Sequence, residues 1–368
     1  MKSFEYADEE IGNSEIGYVI PSVVIGAGIL SLPRVLAEDT VTADGWVPIL
    51  VGGGIAVLFT WVVAKLASRF PKQSFLEYSS VLVSKPLAFV LTACIALYFM
   101  VFASYEIRFV ATLSQQYLFA STPKEVLSFV FLLVVTYAVA GSRVALFRLH
   151  QLFLPIIIGI LCIVLLMTLP LIEVNHIMPL FKTDWKGYLQ GTKSTLLSFM
   201  GWGVLLFYTG LMNKPKKAVK AGMIGMCVPV ILYVLLYLSA IGVMSNTVAA
   251  NLTYPTNELA KVVEVPGGFF ERMEIIFFTI WVMALFTSSI VFFDVSVMAI
   301  NSLFKKVKKV KLVLILAPVI YLMGMLPQNR LQLAKVSEGL GYTGICVSVI
   351  IPALLLILAK FRGIRGDG

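Results

Sequence analysis

The chain has 368 residues, 59% of them hydrophobic and 13% charged, with a formal net charge of +9. Soluble domains carry roughly 25% charged residues, so this composition excludes an ordinary soluble protein and requires apolar side chains to face lipid. The charge needs no nucleic-acid partner, because the basic residues fall where a membrane protein places them.

Ten runs are long enough to cross a bilayer at about 20 apolar residues each: 16–36, 46–68, 86–116, 126–141, 150–171, 190–212, 218–244, 270–303, 311–326 and 338–361. The fourth and ninth are short; the third and eighth are long enough to tilt. With the N-terminus inside, about two thirds of the 29 Lys and Arg residues lie in inner segments, as the positive-inside rule demands. Both termini are therefore expected to be cytoplasmic, in an integral plasma-membrane protein. The acidic start "MKSFEYADEE" lacks a cleavage site, so the first run is expected to direct insertion itself. The expected division is a cytoplasmic tail at 1–15, a first five-helix repeat at 16–171, an outer loop at 172–189, a second five-helix repeat at 190–361 and a cytoplasmic tail at 362–368. The connections 171–189 and 245–269 are the most polar and suit short surface helices acting as covers. The basic cluster "KKVKKVK", Lys305–Lys311, reads as an anchor at the inner surface near anionic lipid.

The first run, "SVVIGAGILSLPRV", is interrupted by Gly26, Ala27 and Gly28, and the sixth by Gly201, Trp202 and Gly203. Five runs separate the two, and five is odd, so the second half is inserted upside down relative to the first. Interrupted segments at matching places in inverted halves mark a transporter-type binding site. Non-helical backbone survives in a bilayer only when it is buried in protein or lines a cavity. A break bares N–H groups, which suit a carboxylate, and C=O groups, which suit a cation.

These residues are also familiar in order and spacing. "IGAGILSLP" is similar to the first-span motif of the amino acid–polyamine–organocation superfamily. With "DGWVPIL", "RFPKQSFLEY", "TPKEV" and "FFERMEIIFFTIW", the chain resembles the B-subunit family of bacterial spore-germination nutrient receptors. The resemblance implies an all-α, LeuT-like fold of about ten helices as a five-plus-five inverted repeat with helices 1 and 6 broken. It implies the inner membrane of a spore, A and C subunits as partners, and recognition of a small nutrient, often an amino acid. The family often carries an acid where this chain has Gly203, so that acid's role does not carry over.

The expected ligand site lies between the breaks. Gly26, Ala27, Gly28 and Ile29 form one wall; Phe199, Gly201, Trp202 and Gly203 form the other, unless Trp202 merely packs against neighbouring spans. Tyr98, Phe102 and Tyr105 share a face of the third span, with Tyr98 the expected hydrogen-bond donor. By the resemblance, Ala284, Thr287 and Ser288 would offer oxygens to a monovalent cation, completed by carbonyls near Ser22 and Ile25. The competing reading is hydroxyls bonded back to their own helix. Glu106, Arg108 and Asp294 are ionisable groups inside the bilayer and hence functional suspects. Asp294 reads as a proton acceptor or cation ligand facing an inward cavity, or as a hydrogen-bonded structural carboxylate. Depth separates it from Arg108. Glu106 and Arg108 read as an outer gate network, or as side chains snorkelling to the interface.

Cys94, Cys162, Cys227 and Cys346 are scattered, and His150 and His176 lack ligand spacing, so no metal or cofactor is expected. No enzyme motif is present. The leading expectation is a nutrient-sensing receptor subunit. The alternatives are an amino-acid symporter coupled to H⁺ or Na⁺, and a structural subunit with a vestigial pocket.

Overall fold

The computed structural model describes residues 11–262, 273–304 and 307–364. Among them the chain is helical apart from one isolated bridge. The helices run α1 (Asn13–Val24), α2 (Gly28–Asp39), α3 (Trp46–Ala67), α4 (Phe75–Leu82), α5 (Lys85–Tyr117), α6 (Lys124–Ala140), α7 (Arg143–Thr168), α8 (Val174–Ile177) and α9 (Trp185–Ser198). After a 3₁₀ turn at Trp202–Val204 follow α10 (Leu205–Tyr208), α11 (Ala218–Met244), α12 (Asn246–Asn251), α13 (Pro255–Val262), α14 (Met273–Leu303), α15 (Lys309–Met325), α16 (Arg330–Ile345) and α17 (Ile351–Phe361). A π turn, Cys346–Ile350, joins the last two. Part of the Lys305–Lys311 cluster and part of the 245–269 connection lie outside the described residues.

By length and composition, six helical segments can cross a membrane alone. Two bent pairs bring the total to eight: α1 with α2, turned by 52°, and α9 with the stretch Trp202–Leu211, turned by 42°. α6 and α15 have 17 residues each, or roughly 26 Å at 1.5 Å per residue, somewhat short of a ~30 Å hydrocarbon core. They are the fourth and ninth runs of the sequence, the two whose length was already marginal.

Local chemistry sets the ends. Ser74 accepts from the Glu77 amide while Glu77 Oε2 accepts from the Ser74 amide at 2.9 Å, a reciprocal cap that starts α4. Asp184 and Asn329 cap α9 and α16 by accepting from Gly187 N and Gln332 N, each at 2.9 Å. α16 begins at Arg330, eight residues before the expected run at 338, because its polar first turns face an internal cavity rather than lipid. Lipid instead meets the outward rows of α3, α6, α7 and α15, where Leu58, Val130, Leu133, Leu166 and Leu322 are more than half exposed.

At the centre α14 packs along α5, with the Phe292 ring 4.1 Å from that of Phe102 and 5.9 Å from that of Phe99. α1 lies against α7 and α11. Just ahead of α1, Ile11 donates to Leu211 O and accepts from Asn213 N, which forms the lone bridge and fastens the segment to the exit of α10. The outer connections do form short helices. α13 lies over α2 and α14, with Thr256 and Asn257 buried.

Asp44, between α2 and α3, fastens the loop that leads into α9. It accepts from Phe181 N at 2.6 Å, Lys182 N at 2.7 Å, and both Thr183 N and Oγ1 at 2.9 Å. Burial by itself pushes a carboxyl up, but these donors outweigh it and hold Asp44 below the usual carboxylate value. A depressed folded pKa stabilises the protein fully above the ordinary carboxylate range, and that stability is lost as pH falls through the folded value. Asp44→Ala should cost about 2–3 kcal/mol, the worth of hydrogen bonds to a charged acceptor. A thermal melt of the detergent-solubilised protein should show this loss at pH 7 and a smaller one in acid.

Candidate functional site

The two breaks face each other. α1 ends at Val24, Ile25 turns away from helical geometry (φ −77°, ψ 59°), and α2 resumes at Gly28. α9 ends at Ser198 and the chain re-forms as a tight turn at Trp202. Their approach is close: a Cβ on Gly28 would sit 2.8 Å from Ser198 O, so only glycine allows these two segments to touch.

Side chains meet carbonyls at and around the breaks that lack a helical donor, Val24 O at the end of α1 and Ile29 O and Ser348 O four residues before Pro33 and Pro352. Tyr233 of α11 donates to Val24 O at 2.9 Å. Thr256 of α13 donates to Ile29 O at 2.8 Å. Trp202 donates from Nε1 to Ser348 O in the π turn at 2.9 Å. A buried peptide group left unpaired costs several kcal/mol in lipid, so these bonds hold the breaks open.

A cavity of about 490 Å³ opens above the breaks. Val23, Val24, Ala27, Gly28 and Met200 line its floor, with Glu106 beside them. Phe102, Tyr105 and Phe109 form one side, and the polar turns of α16 another, with Ser337 and Glu338 among them. Toward the mouth stand Arg34, Lys193 and Arg330. On the opposite side of the breaks stands a cluster of charged side chains. Asp294, fully buried, accepts from Arg143 Nε at 3.2 Å and Tyr208 OH at 3.2 Å, with Lys309 Nζ 3.8 Å away. This ties α7, α10, α14 and α15 together.

Of the expected ligand residues, Ala27, Gly28 and Phe102 line the cavity. The others do not. Ile29 is buried under Thr256. Tyr98 is turned toward Gly344 of α16 and packs edge-on against Phe99 and Phe102. Phe199 stacks on Tyr233 at 4.7 Å. Trp202 is wholly buried and points to Ser348, so it packs against α16–α17 rather than shaping the pocket. Gly201 is held against Val23. A side chain on Gly203 would meet Ser348 Oγ, which would have to rotate away to admit it.

The expected cation ligands do not converge either. Ser22 Oγ donates to Tyr18 O and Thr287 Oγ1 to Ala284 O, each at 2.8 Å. Ile25 is buried and its N–H bonds Pro21 O at 2.8 Å. Asp294 is held by Arg143, whose Nε lies 3.2 Å from its carboxylate. Glu106 and Arg108 turn to different neighbours. Glu106 is 1% exposed and turns to α14, where Ser288 Oγ donates at 2.7 Å and Ser289 Oγ at 2.9 Å. Arg108, 5% exposed, lies 3.7 Å from Glu125 and 3.7 Å from Met325 Sδ. Two residues apart on a helix, they point about 200° apart. Sequence reading missed Ser289, Tyr233 and the α16 lining. The signal for the last was the polar stretch 330–338, which does not suit lipid.

A family model described as spore germination protein matches residues 10–333. GerLB, a spore germination protein of Bacillus cereus, is 40% identical over 368 residues, covering 100% of this chain and 98% of that one. The chain belongs to the spore germination protein family. Within this family it is of the B-subunit type, and it is 30% identical to YndE of Bacillus subtilis (strain 168) over 358 residues, covering 97% and 98% of the two chains. As a fold, this spore germination protein matches LeuT-type transporters. Mhp1, a nucleobase-cation-symport-1 transporter, superposes with a TM-score of 0.67 at 14% identity, covering 98% of this chain and 85% of its own. MhsT, solved in complex with L-phenylalanine, gives 0.66 at 16% identity, covering 97% and 91%.

Removing the Asp294 carboxylate takes away the acceptor that Arg143 and Tyr208 share and that Lys309 approaches. Asp294→Ala should destabilise the protein by about 3–5 kcal/mol, the usual cost of breaking a buried ion pair. The double variant with Arg143→Met should recover part of that loss in a denaturation series, as a double-mutant cycle.

Proposed function

We propose that this chain is the membrane subunit of a spore germinant receptor that binds a small nutrient, an amino acid, in the cavity above the paired breaks, and that occupancy signals germination. The observation that carries the reading is the cavity itself: about 490 Å³, within the roughly 300–1,000 Å³ of small-molecule sites, floored by the two helix interruptions. Ala27 and Gly28 present the first turn of α2, whose N–H groups suit a carboxylate, while Val23, Val24 and Met200 suit a small apolar side chain.

In this reading residues 16–171 and 190–361 are two inverted five-helix halves that include the short α6 and α15, giving ten crossings. Both termini lie in the cytoplasm, the cavity mouth faces outward in the spore inner membrane, and A and C subunits receive the signal. The Arg143–Asp294–Tyr208 cluster keeps the inner side shut. Ligand shifts the protein only by binding its two conformations unequally, and the paired breaks join the cavity-lining half-helices α2 and α9 to α1 and α10, both of which pack against α14.

The alternative reading is an amino-acid symporter, which would use the same cavity but must open the inner cluster in every cycle. Reconstituted protein separates the two. The receptor reading expects saturable binding of L-alanine, L-valine or L-leucine to proteoliposomes without concentrative uptake under an H⁺ or Na⁺ gradient; uptake against a gradient sinks it. In spores, Ala27→Leu fills the floor of the cavity and should raise the germinant concentration needed at least about tenfold, equivalent to ~1.4 kcal/mol, with receptor assembly unchanged.

A further inference from the structure

Gly26 lies at the centre of the first break and packs tightly against oxygen atoms: a Cβ on residue 26 would stand 3.1 Å from Glu106 Oε1, 3.3 Å from Ser288 Oγ and 3.6 Å from Val23 O. Glycine at 26 therefore lets the Glu106 carboxyl come down onto the break. Glu106 also lines the cavity floor, where a carboxylate is the acceptor that the N–H donors of a primary ammonium seek.

Glu106 itself is in an unusual state. It is 1% exposed, and among the described residues no lysine, arginine or histidine forms an ion pair with it. An unpaired ionised carboxylate at this depth is costly. The nearest basic groups are engaged or distant: Arg108, on its own helix, faces Glu125 of α6, and Arg143 and Lys309 serve Asp294 further along α14. Arg34, Lys193 and Arg330, with Glu338, stand across the cavity on α2, α9 and α16, and Tyr105 is one residue away on α5.

The serines accommodate either protonation state. Ser288 Oγ lies 2.7 Å from Glu106, 3.2 Å from Leu285 O and 3.3 Å from Ala284 O. When Glu106 is ionised, the hydroxyl donates to it. When Glu106 is protonated, the acid donates to Ser288 Oγ and the serine proton turns to its own helix. A hydroxyl rotation suffices.

We propose that Glu106 is the seat for the ammonium group of a ligand and carries a proton while that seat is empty. This rests on the reading of the cavity as a ligand site and adds the chemistry of its floor. When R–NH₃⁺ arrives, the Glu106 O–H bond breaks, its proton leaves through the cavity to solvent, and the ammonium pairs with the carboxylate. One cation enters for one proton released, and no oxidation state changes. A zwitterion then places its ammonium at Glu106 and its carboxylate toward the start of α2.

Full-length protein in lipid nanodiscs and infrared difference spectroscopy test this, with methylammonium as the probe. Empty wild type at neutral pH should show the C=O stretch of a protonated carboxyl that E106Q lacks. Saturating methylammonium should abolish the band and release about one proton per chain. Its apparent affinity should rise about tenfold per pH unit while the acid form predominates, and this slope should vanish in E106Q. S289A, which removes one donor and leaves the carboxyl, should shift the band and covers the case in which E106Q fails to fold. Absence of the band in the empty protein, or its survival at saturating methylammonium, overturns the proposal. So does clearance by NaCl at the same concentration, which would make the seat a metal-cation site. If methylammonium clears the band and no amino acid binds, the Glu106 seat stands and the amino-acid reading of the cavity falls.

Discussion

The peptide groups released where α1 gives way to α2 have lost their helical partners, so protein or a guest in the cavity must meet them. The rest of the architecture follows from that requirement. Tyr233 reaches from α11 to Val24 O, Thr256 from α13 to Ile29 O, and Trp202 from the second break to Ser348 O. Each donor comes from a different element, so the breaks stand only when the whole bundle is assembled. A hydrogen bond of this kind contributes about 1 kcal/mol net, but leaving its acceptor bare costs more, which makes these contacts conditions of the fold rather than additions to it.

The same constraint divides the molecule into two sides. Above the breaks, polar turns of α16 and the basic mouth residues surround open space. Below them, aromatic packing and the Asp294 ion pair fill the volume. A side chain at residue 28 would push the two breaks apart, against Ser198 O. Glycine at this position is a steric condition for their close approach.

Much of this was legible in the sequence. The glycine interruptions at 26–28 and 201–203 announce themselves because uninterrupted helix is otherwise the default in lipid. Orientation of side chains about a helix was not legible where the helix is buried on nearly every face. α5 is such a helix, with no polar stripe to fix its rotation, so Glu106 gave no sign that it turns inward to Ser288 and Ser289 while Arg108 turns toward Glu125. The roles of Phe199 and Trp202 failed for a related reason. An aromatic beside a break serves equally to line a cavity or to plug the space behind it, and only the position of Tyr233 and Ser348 decides. The extra turns of α16 were hidden because a hydropathy window discards polar residues that face an internal space.

The bridge at Ile11 has a mechanical consequence. Its two hydrogen bonds, to Leu211 O and from Asn213 N, splint the approach to α1 onto the exit of α10, joining the lower arms of both interrupted helices. Neither arm can swing without dragging its twin. A displacement begun at the cavity floor would therefore reach the segment ahead of α1 and the exit of α10 as one coordinated tug.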